Sequence, residues 1–195
     1  MVGHREQLLA AARKLLEDKG YAHITTRDLV AESNTNLASI GYHFGSKAGL
    51  LNEALGVVFE EWTDQLAGVA LAEPDASPIA RAHLTWAAVL SNLADNRVLV
   101  LSFAEALAQA ERDPGLRAQL ADLQDRTRTR VAAIVATSFG PDVSADDPRC
   151  RAVASFVLAV CDGFALQWML DPGRTPQAED LLQGLRELLA RSAPI

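Results

Sequence analysis

The stretch from Thr25 to Lys47, TTRDLVAESNTNLASIGYHFGSK, decides the fold of this chain. Thr25 followed three residues later by Asp28 is a capping pattern, with Asp a shorter stand-in for the usual Glu or Gln. Ile24, Leu29 and Val30 give a short helix ending near Ser33 its apolar contacts. Asn34-Thr35-Asn36 then collects residues that favour turns and caps, and Asn34 is the best non-glycine choice for a left-handed turn residue. Leu37 to His43 makes two helical turns and Gly45 closes them. Ser46 caps a longer helix whose apolar stripe is Leu50, Leu51, Ala54, Leu55, Val58, Phe59 and Trp62. Two short helices joined by a turn of about three residues form a helix-turn-helix pattern.

Upstream lies the support for that pattern. Leu8, Leu9, Ala12, Leu15 and Leu16 recur at helical spacing opposite Arg5, Glu6, Arg13, Lys14 and Glu17, and Gly20 ends the helix they form. To read DNA, a short helix must project from a rigid base into a major groove roughly 12 Å wide. Leu37, Ser39, Tyr42 and His43 are the side chains of the third helix that face outward in this reading. Lys47 opens the fourth helix, where its ammonium and the free backbone N–H groups both favour a phosphate. Phe44, set between Gly45 and an apolar stripe, reads as core.

Charge singles out the same region. The chain carries a net −7, yet residues 1–52 hold 6 Lys and Arg against 5 Asp and Glu, while the rest holds 12 against 20. An acidic chain still binds DNA through a locally positive face. With 195 residues, 49% hydrophobic and 22% charged, the composition is that of a soluble globular protein of one or two domains. Two cysteines, Cys150 and Cys161, build no disulfide framework and suit a reducing cytoplasm. The first fifteen residues lack the apolar core of a signal peptide.

Beyond residue 70, Pro and Gly clusters punctuate runs of Ala, Leu, Glu, Gln and Arg: residues 73–78, Asp113-Pro114-Gly115, residues 140–148 and Asp171-Pro172-Gly173. No alternating strand pattern interrupts them, so the class is all-α. Residues 152–170, AVASFVLAVCDGFALQWML, are long enough to span a membrane. Asp162 near the centre and the absence of flanking Lys/Arg clusters favour a soluble helix buried by protein, in part by a partner subunit. The last segment, Ala178 to Arg191, places Leu181, Leu182, Leu185, Leu188 and Leu189 at helical spacing. Together the two segments predict a homodimer seam, with no membrane contact.

Catalytic signatures are missing: there is no Gly-x-Ser-x-Gly elbow, no His-Glu-x-x-His and no phosphate-cradling glycine loop, and three of the four histidines fall in the first fifty residues. No catalytic residue, metal or cofactor is expected. Arg126, Arg128 and Arg130 spread around a helix as a solvated face. A redox switch between Cys150 and Cys161 is a weaker alternative, since eleven residues of helix hold them roughly 16 Å apart. A helical dimer acting as an interaction protein without an operator is another.

Leu8 to Leu51, with AARKLLEDKGY, TTRDLVAES and NLASIGYHFGSKAGLL in order, resembles the DNA-binding domain of the TetR family of bacterial transcriptional regulators. Gly20-Tyr21, Thr25-Thr26, Tyr42-His43-Phe44 and Ser46-Lys47 are the most specific parts of the match. The resemblance implies an N-terminal three-helix helix-turn-helix domain, residues 1–52, and a larger helical ligand-binding and dimerisation domain, residues 53–195. It also implies a repressor released from a palindromic double-stranded DNA operator by a small-molecule effector. By the same resemblance Thr26 and Arg27 face the DNA, Ser39, Tyr42 and His43 contact it, and Lys47 binds phosphate; Asn36 and Leu37 complete the candidate set. Two departures stand out: Asn34-Thr35-Asn36 replaces a frequent Gly-Val-Ser, and Gly41 replaces a frequent aromatic that contacts DNA. For the effector, expected to be largely apolar, the candidate residues are the rings of Trp62, Trp86 and Phe103 with His83, Glu105 and Gln109 as polar anchors. A helix histidine without chemical role remains the ordinary reading of His83, and plain core that of each ring.

Overall fold

Helix follows helix along the whole chain. The computed structural model describes residues 3–73, 76–140 and 142–191, and every regular element among them is helical. The helices are α1 (His4–Lys19), α2 (Thr26–Ser33), α3 (Leu37–Phe44), α4 (Lys47–Leu71), α5 (Pro78–Asn92), α6 (Arg97–Ala110), α7 (Pro114–Phe139), α8 (Pro148–Leu170) and α9 (Ala178–Arg191), with one 3₁₀ turn at Tyr21–His23. The all-α expectation holds. Of the expected breaks, Pro74, Asp75 and Pro141 lie outside the described residues.

Two compact units emerge from the contacts within the chain, residues 1–63 with 95–126, and residues 64–94 with 127–195. The first is organised around an apolar cluster built from α1, α2, α3, α4 and α6. Leu8, Leu16, Ile24, Leu29, Leu50, Leu51 and Leu55 are essentially inaccessible to water, and Phe44, Phe59 and Phe103 pack against them. Burying a side chain of this size fully is worth about 1.5–3 kcal/mol, so this cluster is the main source of rigidity beneath α3. α6 belongs to it through Leu99 and Ala106.

In the second unit, α5 packs on α8 and α9. A buried cluster of small residues joins α7 to α8: Ala132 and Ala136 with Cys150 and Ala154. α8 departs from expectation here. The sequence predicts a helix covered nearly all round, yet Val153, Phe156, Leu166 and Leu170 are 39%, 56%, 56% and 80% exposed in the single chain. Its neighbours α5 and α7 cover only part of its circumference. On α9 the expected stripe splits: Leu182 is buried and Leu188 exposed. The side chain of Leu189 lies outside the described residues.

The cysteine alternative loses its chemistry in this setting. Cys150 is fully buried, and burial, reinforced by the neighbouring Asp162 carboxylate, pushes the Cys161 thiol up to about 12. A thiol that stays protonated is not a redox-reactive nucleophile.

Local signals in the first unit hold as read. Gly20 takes φ 76° after α1. The Thr25–Asp28 capping box closes, Asp28 accepting from Thr25 N at 2.8 Å. The Lys19 ammonium, together with Thr25, holds the Asp28 carboxyl well below its ordinary value of 3.8. Because the folded state prefers the carboxylate, its stabilising effect is complete above that ordinary value and is lost as pH falls through it towards the folded one. Asp28→Asn is therefore expected to lower the melting temperature at neutral pH, and the gap between variant and parent is expected to narrow steadily in melts recorded below pH 3.8.

Candidate nucleic-acid interface

α3 is presented by three joints, each made by residues already legible as turn or cap formers. At the α2–α3 turn, Asn34 adopts the left-handed conformation, φ 50° and ψ 40°. Its amide is well suited to that region, so the turn closes without the glycine it replaces. Ser33 supports the turn, its hydroxyl donating to Leu29 O at 2.6 Å and sharing a 2.7 Å bond with Thr35 Oγ1. Asn36 caps α3: Oδ1 accepts from Ser39 N at 3.0 Å and from Ser39 Oγ at 3.3 Å. At the far end Gly45 takes φ 72°, and α4 starts so close behind that a Cβ on Gly49 would stand 2.2 Å from Phe44 O. Gly49 accordingly has to be glycine for α3 and α4 to meet as they do.

These joints sort the side chains of α3 into two faces. Ile40 is 2% exposed and Ser39 8%, whereas Leu37 is 66% and Tyr42 85% exposed. Ser39 was expected to touch DNA, but its hydroxyl is turned inward and engaged, by Asn36 and by His4 Nδ1 at 3.1 Å. It acts by fixing α3. His43 is half-buried, edge-on to Tyr42 with ring centroids 4.8 Å apart and tilted against Phe44 at 6.2 Å. Phe44 packs on the core as expected, with the Arg5 guanidinium 5.4 Å above its ring.

Electrostatics narrow the field further. Arg5, Arg13, Lys14 and Lys19, four of the six Lys and Arg in residues 1–52, form ion pairs with Glu53, Glu61, Glu32 and Asp28. Exposed pairs of this kind add little stability, about 0–1 kcal/mol each, but they neutralise the flank of the unit. Arg27 and Lys47 are the two cations of this segment outside those pairs. Arg27 is exposed and Thr26 half-buried in the first turn of α2. Lys47 donates to Ile24 O at 2.7 Å, which ties the start of α4 to the entry of α2 and leaves two of its N–H groups for another acceptor.

The sequence reading missed the contribution of α6. Ser102, fully buried, accepts from Tyr21 N at 3.0 Å while donating to Val98 O at 2.9 Å. Glu105 accepts from Ala22 N at 3.1 Å. Two backbone donors of the turn between α1 and α2 are thus held by one face of α6, and Tyr21 Oη donates to Asn52 Oδ1 at 2.6 Å to complete the grip. A lone serine inside the apolar run VLVLSFAEA was the available signal. Glu105, expected as an effector anchor, is engaged here instead, because the exposed backbone N–H of Ala22 lies within its reach. Gln109, on the same helix, is exposed.

The other expected effector residues fall in both units. In the first, Phe103 stacks on Phe59 at 4.2 Å, and Trp62 meets Phe59 edge-on at 5.8 Å. In the second, His83 and Trp86 sit one turn apart on α5, with Trp86 3% exposed. His83 Nε2 is 3.4 Å from Glu179 Oε1 but not aligned for a hydrogen bond. Trp62 Nε1, Trp86 Nε1 and His83 Nε2 are buried without a partner. A shallow groove of about 200 Å³ lies in the second unit between Leu90, Trp168, Thr175 and Glu179, and it includes none of the expected residues.

Residues 8–54 match the family model of bacterial regulatory proteins of the tetR family, and residues 78–194 match that of the C-terminal part of BetI-type transcriptional repressors. Among solved structures, the multidrug binding protein EbrR in complex with proflavin is 26% identical, with a TM-score of 0.65 over 95% of this chain and 99% of that one. A transcriptional regulator from Rhodococcus sp. RHA1 shares the fold at TM-score 0.74 and 15% identity, over 97% of both chains. One from Saccharomonospora viridis in complex with choline does so at 0.61 and 23%, over 96% of both. Among curated proteins, nothing matches the chain.

Replacing Ser102 by Ala leaves the buried Tyr21 N–H without an acceptor, a loss of about 1–3 kcal/mol. The expected outcome is a lower denaturation midpoint together with faster amide exchange at Tyr21 than at its neighbours in α1, measured by hydrogen–deuterium exchange.

Proposed function

This chain belongs to the TetR family of bacterial regulatory proteins, with a C-terminal part of the BetI type, and from that membership we propose a homodimeric cytoplasmic repressor that binds a palindromic operator through residues 1–52 and is released by a small-molecule effector held by residues 53–195. The observation that carries the DNA reading is the outer face of α3, with Leu37 and Tyr42 exposed and Arg27 and Lys47 on the flanking helix starts. Thr26, Arg27, Leu37 and Tyr42 approach the groove, His43 backs Tyr42, Asn36 and Ser39 set the helix, and Lys47 takes a phosphate. No catalytic step belongs to this role.

Dimerisation is supported by the uncovered side of α8. Phe156, Leu166 and Leu170 of α8 and Leu188 of α9 are exposed large apolar side chains in the single chain, and contiguous apolar surface of this kind marks an interaction site. A second copy related by a two-fold axis covers the same patch on both subunits, and its symmetry gives the operator its palindrome. Nothing lies within 4 Å of a Cβ built at Gly163, so the helices can approach closely there.

Effector binding is supported, within the first unit, by the buried indole nitrogen of Trp62, which stands beside the rings of Phe59 and Phe103. Indole N–H groups only donate, so a suitable effector carries hydrogen-bond acceptors on a largely apolar frame. Flat aromatic compounds of the proflavin type are the first class to try, by analogy with EbrR. α4 carries both Lys47 and Trp62, so a ligand that displaces Trp62 tilts the start of the helix that fixes α3. Coupling of this kind is typically about 1–3 kcal/mol.

The test is a titration of operator DNA at several salt concentrations. Lys47→Met is expected to weaken binding to every sequence and to reduce the salt slope by roughly two for a dimer contacting one phosphate per subunit. Proflavin, if it raises the melting temperature, is expected to lower operator affinity about fivefold or more; equal affinity with and without it at saturation would refute coupling to that ligand. Phe156→Asp or Leu166→Asp is expected to give a monomer by light scattering and to abolish operator binding.

A further inference from the structure

Taking the DNA-binding reading as its basis, we propose that α3 selects its half-site by contact with thymine methyl groups, made by Leu37 and Ala38 around the bare backbone of Gly41. The four residues Leu37, Ala38, Gly41 and Tyr42 lie one turn apart in pairs and form a single stripe, and all four are exposed. On the opposite stripe Ser39 and Ile40 are buried at 8% and 2%. The reading face of this helix is therefore two aliphatic side chains, a glycine and one phenol.

The chemistry of base edges makes that composition specific. Guanine is read in the major groove by Arg or Lys, adenine by Asn or Gln, and cytosine by a carboxylate, whereas the C5 methyl of thymine is read by apolar contact. From Leu37 to Phe44, LASIGYHF, the helix holds none of the charged or amide side chains that address the first three. The nearest amide, Asn36, has its Oδ1 committed to Ser39. The Ser39 hydroxyl is itself engaged by His4 and Asn36. Gly41 is not required by the protein's own packing, since a Cβ there would meet nothing within 4 Å. Its effect is on the outside, where it opens a hollow between Leu37 and Tyr42 that admits a protruding methyl. Tyr42, 85% exposed, brings a hydroxyl to the rim of that hollow, and guanine reading falls to Arg27 on α2.

The experiment selects binding sites for the full-length protein from a pool of random duplexes, then replaces each thymine of the enriched site by uracil, which removes only the methyl. Each half-site is expected to contain at least one thymine whose replacement weakens binding about fourfold, the effect of withdrawing one buried methyl group. In Leu37→Ser, whose exposed position keeps the melting temperature at the parent value, the same replacement is expected to change affinity little. Enriched sites that bind equally well with uracil at every thymine would overturn the proposal while leaving the regulator reading intact. Uracil sensitivity that persists undiminished in Leu37→Ser would also overturn it. A pool from which no sequence is enriched would overturn the regulator reading and this inference together.

Discussion

The passage of the chain from α3 into α4 constrains everything that the first unit does. Phe44 drops into the core, Gly45 reverses the backbone with φ 72°, and the carbonyl of Phe44 sits where a side chain on Gly49 would be. So tight a junction leaves α3 no freedom to pivot about its own C-terminus. The angle at which the exposed face of α3 meets a partner is thus inherited from α4, whose stripe of Leu50, Leu51, Ala54 and Leu55 is fully buried. Lys47 adds a second tie by reaching back to Ile24 O, so α2, α3 and α4 share one set of constraints.

Polar contacts in this unit are arranged by a different logic from the apolar ones. Four cation–carboxylate pairs on α1 contribute little to stability, and their effect lies in what they remove from the local field. With those charges neutralised, the positive potential of a nearly neutral segment is concentrated at Arg27 and Lys47, on the two helix starts that flank α3. Helix N-termini attract anions in their own right, and the side chains reinforce that attraction in the same places. The hydrogen bonds from Tyr21 and Ala22 to Ser102 and Glu105, one buried and one exposed, satisfy two backbone donors of the turn between α1 and α2 and join that turn to a helix far along the chain.

α8 shows how a composition can be read correctly and its environment only in part. Its apolar length and mid-helix Asp162 distinguish a soluble helix from a spanning one by argument, yet the single chain leaves its face uncovered. The physical pressure on Phe156, Leu166 and Leu170 is the same whether cover comes from the same chain or from another copy. Small residues, Ala132 and Ala136, pack α7 against Cys150 and Ala154 of α8.

Local chemistry was legible from the sequence alone. The Thr25–Asp28 box, the left-handed Asn34, the Asn36 and Ser46 caps and the closing glycines depend on neighbours three or four residues away, so their outcome is set before tertiary structure forms. The all-α class followed from periodicity for the same reason. The break between α5 and α6 was not legible, because α5 ends at Asn92 and α6 starts at Arg97 without proline or glycine between them. Inward or outward placement along α3 was also beyond the sequence: Ser39 and Leu37 differ in exposure against their polarity, since the cap at Asn36 and the contact with His4 rotate the serine inward. Long-range partners were decided by the tertiary structure. Ser102 and Glu105 reach Tyr21 and Ala22 across more than eighty positions of sequence. Such contacts depend on where distant helices come to rest, and spacing along the chain carries no information about that distance.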